Sequence, residues 1–313
     1  MALRTLRRSL AVSIGLVAAI VPASAVFAAP AVSSNVLYNS LVPTPGNLPS
    51  ESFEATQTSQ IGNEITLSRS AKAATVVVTM DSWGCQSGSW TNDTCSTTPG
   101  SKFTEPITLN IYQAPATPPP GQTDTPGNGL PGSTILSVTK TFSIAYRPSA
   151  NNTKCIGAES GNWFDPKNGE CFPGLATNIS FNLTSLHLTL PSTFVFGIAY
   201  NTSDYGAAPY GDATACHSTS EGCGYDSLNV GLSYDPDNLN VGSNPYSGSL
   251  WVDTLYAPYY CDNGTAGTGT FRFDSPGLAP NACTSASGGW SVYGPYPGGG
   301  APYYMPAVEF TTT

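Results

Sequence analysis

Ile107-Thr108-Leu109-Asn110-Ile111-Tyr112 alternates apolar and polar residues, with Ile107, Leu109 and Ile111 on one side and Thr108, Asn110 and Tyr112 on the other. A period of two marks a half-buried β-strand, because successive side chains point to opposite faces of a sheet. The same pattern recurs in both directions along the chain. Upstream lie Val36-Leu37-Tyr38, Ile65-Thr66-Leu67 and the β-branched run Thr75-Val76-Val77-Val78-Thr79-Met80. Downstream, Thr134 to Tyr146 holds one long strand or a bent pair, with Phe142, Ile144 and Tyr146 on one face. Further strands are expected at Ile179–Leu183, Leu186–Leu190, Phe194–Tyr200, Leu228–Leu232, Phe271–Phe273 and Val308–Phe310. No stretch beyond the N-terminal segment carries a capped 3.6-residue stripe. Many short strands between Gly, Pro, Asn and Asp turns predict an all-β protein. The expected form is an antiparallel two-sheet β-sandwich, jelly-roll-like, with long disulfide-closed loops.

The composition agrees. Among 313 residues there are 32 Gly and 27 Pro, charged residues make up only 10%, and 16 Tyr, 12 Phe and 5 Trp supply bulk for a core. Disorder, a coiled coil and a long-helix bundle are excluded by that balance. Ala114 to Gly132 is rich in Pro and Gly and reads as a hairpin tip rather than a domain linker, since strand patterns continue on both sides. No fixed-period repeat is present. One domain over residues 29–313 is expected.

Residues 1–28 have the order of a secretory signal peptide. Arg4, Arg7 and Arg8 come first, then an apolar run from Leu10 to Val21, then small residues ending at Ala25 or Ala28. Export predicts an extracellular protein with no membrane span in the mature chain. Eleven cations less these three leave eight against twenty anions, and Arg272 is the single cation between residues 168 and 313. Such a surface repels nucleic acid and anionic lipid. Neutral glycans, cell-wall polymers and cations remain open as partners.

The eight cysteines are even in number and all lie in the exported part. In an oxidising compartment that reads as four disulfides. Near-neighbour spacing favours Cys85–Cys95, Cys155–Cys171, Cys216–Cys223 and Cys261–Cys283, each closing one loop. A zinc site lacks the C-x-x-C spacing and the histidines it would need.

Several segments carry a resemblance: Tyr38-Asn39-Ser40, Pro45-Gly46-Asn47-Leu48-Pro49-Ser50, Glu54-Ala55-Thr56, Ser82-Trp83-Gly84-Cys85, Pro106 to Tyr112, Tyr146-Arg147-Pro148-Ser149 and Cys223 to Gly231. Together they are similar to secreted, disulfide-rich bacterial β-sandwich proteins of unknown function, mostly actinobacterial. The resemblance implies an extracellular sandwich. It implies no activity and assigns no residues.

Four chemistries compete for the candidate residues. A Ser–His hydrolase needs a base. His187 is expected on a strand face opposite three Leu and His217 in a disulfide loop, with no G-x-S-x-G elbow in the chain. Glycan cleavage by paired carboxylates could draw on Glu64, Glu105, Glu170 or Glu309; Glu105 is expected to precede a strand, and Glu64 and Glu309 to lie on solvated strand faces. Calcium, the one cofactor considered, could use Asp235, Asp237, Asn238 and Asn240, although the spacing is not that of an EF-hand and a plain turn explains the cluster more readily. An aromatic platform for sugar rings could be built from Trp251, Tyr256, Tyr259, Tyr260, Trp290, Tyr293 and Tyr296, with Tyr303 and Tyr304 nearby. The resulting expectation is a secreted, non-catalytic binding or envelope-associated protein, with a neutral glycan as ligand. The alternatives are a glycan-degrading hydrolase on the same scaffold and a structural surface protein without a small ligand.

Overall fold

Pairing of the alternating runs builds two antiparallel sheets that share one apolar core. A computed structural model describes residues 35–42, 48–53, 60–88, 93–115, 131–200, 227–235, 238–245, 250–253, 290–293 and 303–313. These all fall in the compact unit Ser34–Thr313. The strands in chain order are β1 (Val36–Asn39), β2 (Ser50–Ser52), β3 (Gln60–Thr66), β4 (Ala71–Ser82), β5 (Lys102–Gln113), β6 (Thr134–Ala145), β7 (Trp163–Asp165) and β8 (Glu170–Phe172). They continue with β9 (Leu175–Asn182), β10 (Thr189–Leu190), β11 (Thr193–Tyr200), β12 (Leu228–Asp235), β13 (Leu250–Asp253), β14 (Trp290–Tyr293), β15 (Tyr303–Pro306) and β16 (Val308–Thr312).

One sheet has six strands in the order β14-β13-β3-β11-β5-β6. The second has eight, with β1-β16-β4-β12-β15 as its path, β9 and β10 paired to β4, and β2 paired to β12, while β7 and β8 pair separately as a two-stranded ribbon. The chain passes repeatedly between sheets, as at β3–β4, β4–β5, β10–β11 and β11–β12. Inward positions follow the period-two pattern. Ile107, Leu109 and Ile111 of β5 join Phe194, Phe196 and Ile198 of β11, and Val76, Val78 and Met80 of β4 close the core from the other sheet. Phe310 stands edge-on to both Phe194 and Phe196. Each such buried side chain contributes about 1.5–3 kcal/mol by leaving water.

Thr134 to Ala145 forms one long strand rather than a bent pair, and it pairs with β5 along its length. β5 and β6, consecutive in the chain, are therefore antiparallel partners. Lys140 of β6 reaches across to the other sheet, donating from Nζ to the Ser180 carbonyl at 2.7 Å. An inward-leaning lysine on an edge strand also discourages edge-to-edge association.

Two expectations are corrected. Leu186–Leu190 is not one strand: Thr184–Leu186 is a 3₁₀ turn ended by His187, whose φ of 49° is left-handed, and only Thr189–Leu190 is extended. The cause is local. The Asn182 side chain accepts the Thr184 N–H at 3.0 Å, an Asx turn that stops β9. Glu105 does not precede its strand but lies within β5, on the core side with Phe103 and Ile107, and is fully buried.

Cys85–Cys95 and Cys155–Cys171 form, with Cα–Cα distances of 5.4 and 5.8 Å. Cys216, Cys223, Cys261 and Cys283 lie outside the described residues, as do residues 1–28, His217 and the strand expected at Phe271–Phe273. Among the described residues no helix is long and apolar enough to cross a membrane.

Candidate functional site

The outward face of the six-stranded sheet carries the site. Register alone places its members. Gly197 of β11 sits between Asn110 of β5 and Gly62 of β3, and Gly62 sits beside Trp251 of β13. One pleat along, Val195 sits between Tyr112 and Glu64. Because Leu250 and Val252 belong to the core, Trp251 must point outward.

Two glycines facing each other leave a shallow saddle, which larger side chains fill. A Cβ on Gly197 would come within 2.7 Å of the Gln60 Oε1 and 3.1 Å of the Trp290 ring. Gln60 therefore lies over the saddle, where its Oε1 accepts hydrogen bonds from Asn110 Nδ2 at 2.7 Å and from the Tyr112 hydroxyl at 2.9 Å. Val195 and Trp251 form a buried apolar floor, with Tyr112 and Trp290 half-buried and packed against it. Tyr112 and Trp290 meet edge to face, centroids 5.5 Å apart and planes at 76°. The result is an aromatic corner beside a polar floor of amide and hydroxyl groups.

Glu64 stands at the margin of this floor, directly across from Val195 and diagonal to Trp251. It faces away from the core as its strand position requires, yet only 5% of it is exposed. Its Oε2 is sealed from solvent without a hydrogen-bond partner. Burial alone pushes its carboxyl up to about 7. Local alternation predicts the direction of this side chain. It does not predict the burial, because Val195 across from it and Trp251 diagonal to it come from strands far away in the chain.

Of the seven expected ligand-binding aromatics, Trp251 and Trp290 come together here. Tyr293 belongs to β14 by its backbone, and Tyr256, Tyr259, Tyr260 and Tyr296 lie outside the described residues. Trp251 is a floor and not a platform, since none of it is exposed. Sequence reasoning missed Tyr112, Gln60 and Asn110 as site residues, although the polar side of the Ile107–Tyr112 alternation already held two of them. Tyr304 instead packs on Tyr234 at the other sheet, 5.2 Å between centroids.

The candidate carboxylates do not converge. Glu64 and Glu105 lie on opposite faces of their sheet, Glu170 is exposed on β8, and Glu309 lies on β16 of the other sheet. Nor are Glu64 and Glu309 solvated: Glu309 is half-buried and accepts Asn39 Nδ2 at 2.9 Å, and burial raises its carboxyl above the usual range. The calcium cluster faces apart where it is described. Asp235 is buried and accepts Asn244 Nδ2 at 3.0 Å, whereas Asn240 is exposed and donates from Nδ2 to the Asn238 carbonyl at 3.3 Å. Asp237 lies outside the described residues. Among the described residues no three His, Cys, Asp or Glu side chains gather as a metal site would require.

A second polar centre lies on the outward face of the eight-stranded sheet. Asp81 is fully buried and its Oδ2 accepts the Trp83 Nε1–H at 2.7 Å. Ser50 is a further hydrogen-bond partner, and the opposite charge of Arg147 acts on it. Asp81 Oδ1 and Arg147 Nε make no hydrogen bond, so the two are matched in charge rather than joined by a two-pronged bridge. Burial outweighs their attraction on both sides, raising Asp81 to about 6 and lowering Arg147 to about 10. Arg147 also donates to the Gly161 carbonyl, between the two cysteines of the second disulfide. Gly174 must lack a side chain, because a Cβ there would overlap the Asp81 carboxylate. This centre anchors the disulfide loops to the end of β4.

Comparison with family models, with curated proteins and with solved structures gives no match.

Proposed function

We propose that the protein is exported and acts outside the cell as a non-catalytic binding protein whose ligand is a glycan. The observation that carries this reading is the aromatic corner of Trp290 and Tyr112 beside the Gln60–Asn110 floor. Sugar rings present apolar C–H faces and a rim of hydroxyls. Half-buried aromatic rings suit the first, and a carboxyl and amides beside them suit the second. The two disulfides and the leader-like N-terminus support an extracellular setting.

The test is retention of the oxidised protein on insoluble polysaccharides and on isolated cell walls, for the parent and for Trp290→Ala. Retention on one polymer, lost in the variant while the melting temperature stays within a few degrees, is the expected outcome. Equal retention of both proteins removes this face from the reading. Release of soluble sugar during the assay would replace binding with hydrolysis.

A further inference from the structure

The charge pattern on the same face narrows the class of ligand, and this narrowing rests on the proposed glycan binding. Glu64 is only 5% exposed, its Oε2 has no hydrogen-bond partner, and burial is the sole cause that displaces its titration. Among the described residues, no cation holds it in the charged form. The outward positions around it on β3, β11, β5 and β6 carry amides, hydroxyls, Val195 and the two glycines, with Tyr112 as their one titratable group. On β13, Asp253 lies two residues from Trp251 and pairs with Trp290 of β14. Among the described residues, the charged positions near the corner are therefore two acids. Lys102, of the same parity on β5, lies at the strand's far end, beyond the last β11 partner at Ile107 and roughly 30 Å from Tyr112 at about 3.3 Å per residue.

The buried carboxyl oxygen without a partner lies diagonal to Trp251 and across Val195 from Tyr112, on the face that also carries Trp290, and carboxylate and aromatic faces attract one kind of group in common. An ammonium group offers a carboxylate its opposite charge and offers each aromatic face a cation. We infer that the ligand is an amine-bearing sugar, a glucosamine-type residue whose ring lies against Trp290 and Tyr112 and whose ammonium group approaches the small part of Glu64 that is exposed. The excess of acids in the second half of the chain draws such a ligand toward the protein at long range. Binding also moves a proton. Glu64 titrates near neutrality when free, so an arriving ammonium favours its ionised form and expels the proton it holds below that point. Affinity should rise as pH increases toward neutrality and fall again once the amine itself loses its proton.

The experiment is titration calorimetry of the oxidised protein with three soluble probes: a glucosamine tetramer, an N-acetylglucosamine tetramer and a cellulose tetramer, at about 0.15 M salt to screen bulk charge. Glu64→Gln, Trp290→Ala and Glu170→Gln are compared with the parent. Glu170 is exposed, so that variant repeats the change in net charge without touching the site. The expected result is a glucosamine preference of about tenfold or more, equivalent to about 1.4 kcal/mol, which Glu64→Gln abolishes and Glu170→Gln leaves intact. Below neutral pH the glucosamine heat should depend on the buffer's own ionisation heat, reporting proton release. Equal affinity for the three probes, lost in Trp290→Ala and unchanged in Glu64→Gln, overturns the amine inference and leaves glycan binding standing. Binding of none of the probes or polymers overturns both.

Discussion

Each sheet hides an acid on the face turned away from the core, and the two do so by opposite means. On the eight-stranded sheet, Asp81 is answered from within the chain by Trp83, Ser50 and the charge of Arg147, and Arg147 is tied on to Gly161. On the six-stranded sheet, Glu64 has an orphaned oxygen and, among the described residues, no counter-charge, and the same face carries half-buried aromatic rings packed on Val195 and Trp251. Burying a charge is tolerable when a partner of opposite charge comes with it, and costly otherwise. The first centre is balanced in charge and therefore structural. The second is unbalanced among the described residues, as the proposed cationic ligand requires.

The sharpest way to break this contrast is to damage the balanced centre. Asp81→Ala strands the Arg147 guanidinium in the interior, and removal of one partner of a buried pair costs about 3–5 kcal/mol. Urea unfolding should show that loss. Asp81→Asn keeps an acceptor for Trp83 and the side-chain shape, so its loss should be smaller. If Asp81→Ala unfolds at the parent's urea concentration, the centre is not structural and the contrast collapses. Next in size is the second disulfide. Replacing Cys155 and Cys171 by Ser frees a loop of 16 residues, worth about 3 kcal/mol in the chain-entropy model. Because Arg147 grips Gly161 inside that loop, the two losses should be less than additive in the combined variant.

These anchors also show how far the sequence could be read. The period-two runs foretell the sheets, because the side a strand buries is decided by local alternation. Near-neighbour cysteines foretell both described disulfides, because short loops leave few options. The Trp251–Trp290 pair is visible in sequence only as crowding in the last quarter of the chain. Its meeting with Gln60, Glu64 and Tyr112 depends on β13 joining β3, which pairs Trp251 with Gly62, and no local pattern encodes so distant a partner. Gly62 and Gly197 are equally silent, since a glycine in a strand signals close approach only once the partner strand is known. His187 misleads for the reverse reason: the leucine alternation around it is genuine, and one Asn182 side chain overrides it.

Glu64→Gln sharpens the comparison through pH. The folded carboxyl titrates at about 7, well above its ordinary value of 4.5, so between those values the native chain binds a proton that the unfolded chain has released. Stability then falls as pH rises through that window, because the unfolded state holds fewer protons. Asp81, Glu51 and Glu309 are displaced upward too and push the same way. The parent should be more stable near pH 5 than near pH 8 in thermal melts. Glu64→Gln should recover part of the difference at the alkaline end, on the order of 2–3 kcal/mol, and change little at the acid end. A parent whose melting temperature rises steadily from pH 5 to pH 8 would mean that these carboxyls are solvated, and Glu64 would then need no ligand to balance it.

The smallest stability effect should accompany a large functional one at Gly197. A methyl there meets the tip of Gln60 at 2.7 Å and the rim of the Trp290 ring at 3.1 Å. Both are outer ends of side chains, able to move aside, and the crowding cost of about 1–3 kcal/mol is offset by the roughly 0.5–1 kcal/mol that alanine gains over glycine within a strand, so Gly197→Ala should cost only about 1 kcal/mol. The same shift tilts the Trp290 ring off the saddle and pulls Gln60 Oε1 from Asn110 and Tyr112, so polymer retention should fall about as far as in Trp290→Ala. The Asp81 centre lies on the other sheet and should not respond. Loss of retention with so small a loss of stability in this variant separates a face shaped for a ligand from one that merely covers the sheet. Unchanged retention would show that the corner's geometry is incidental to whatever the protein holds.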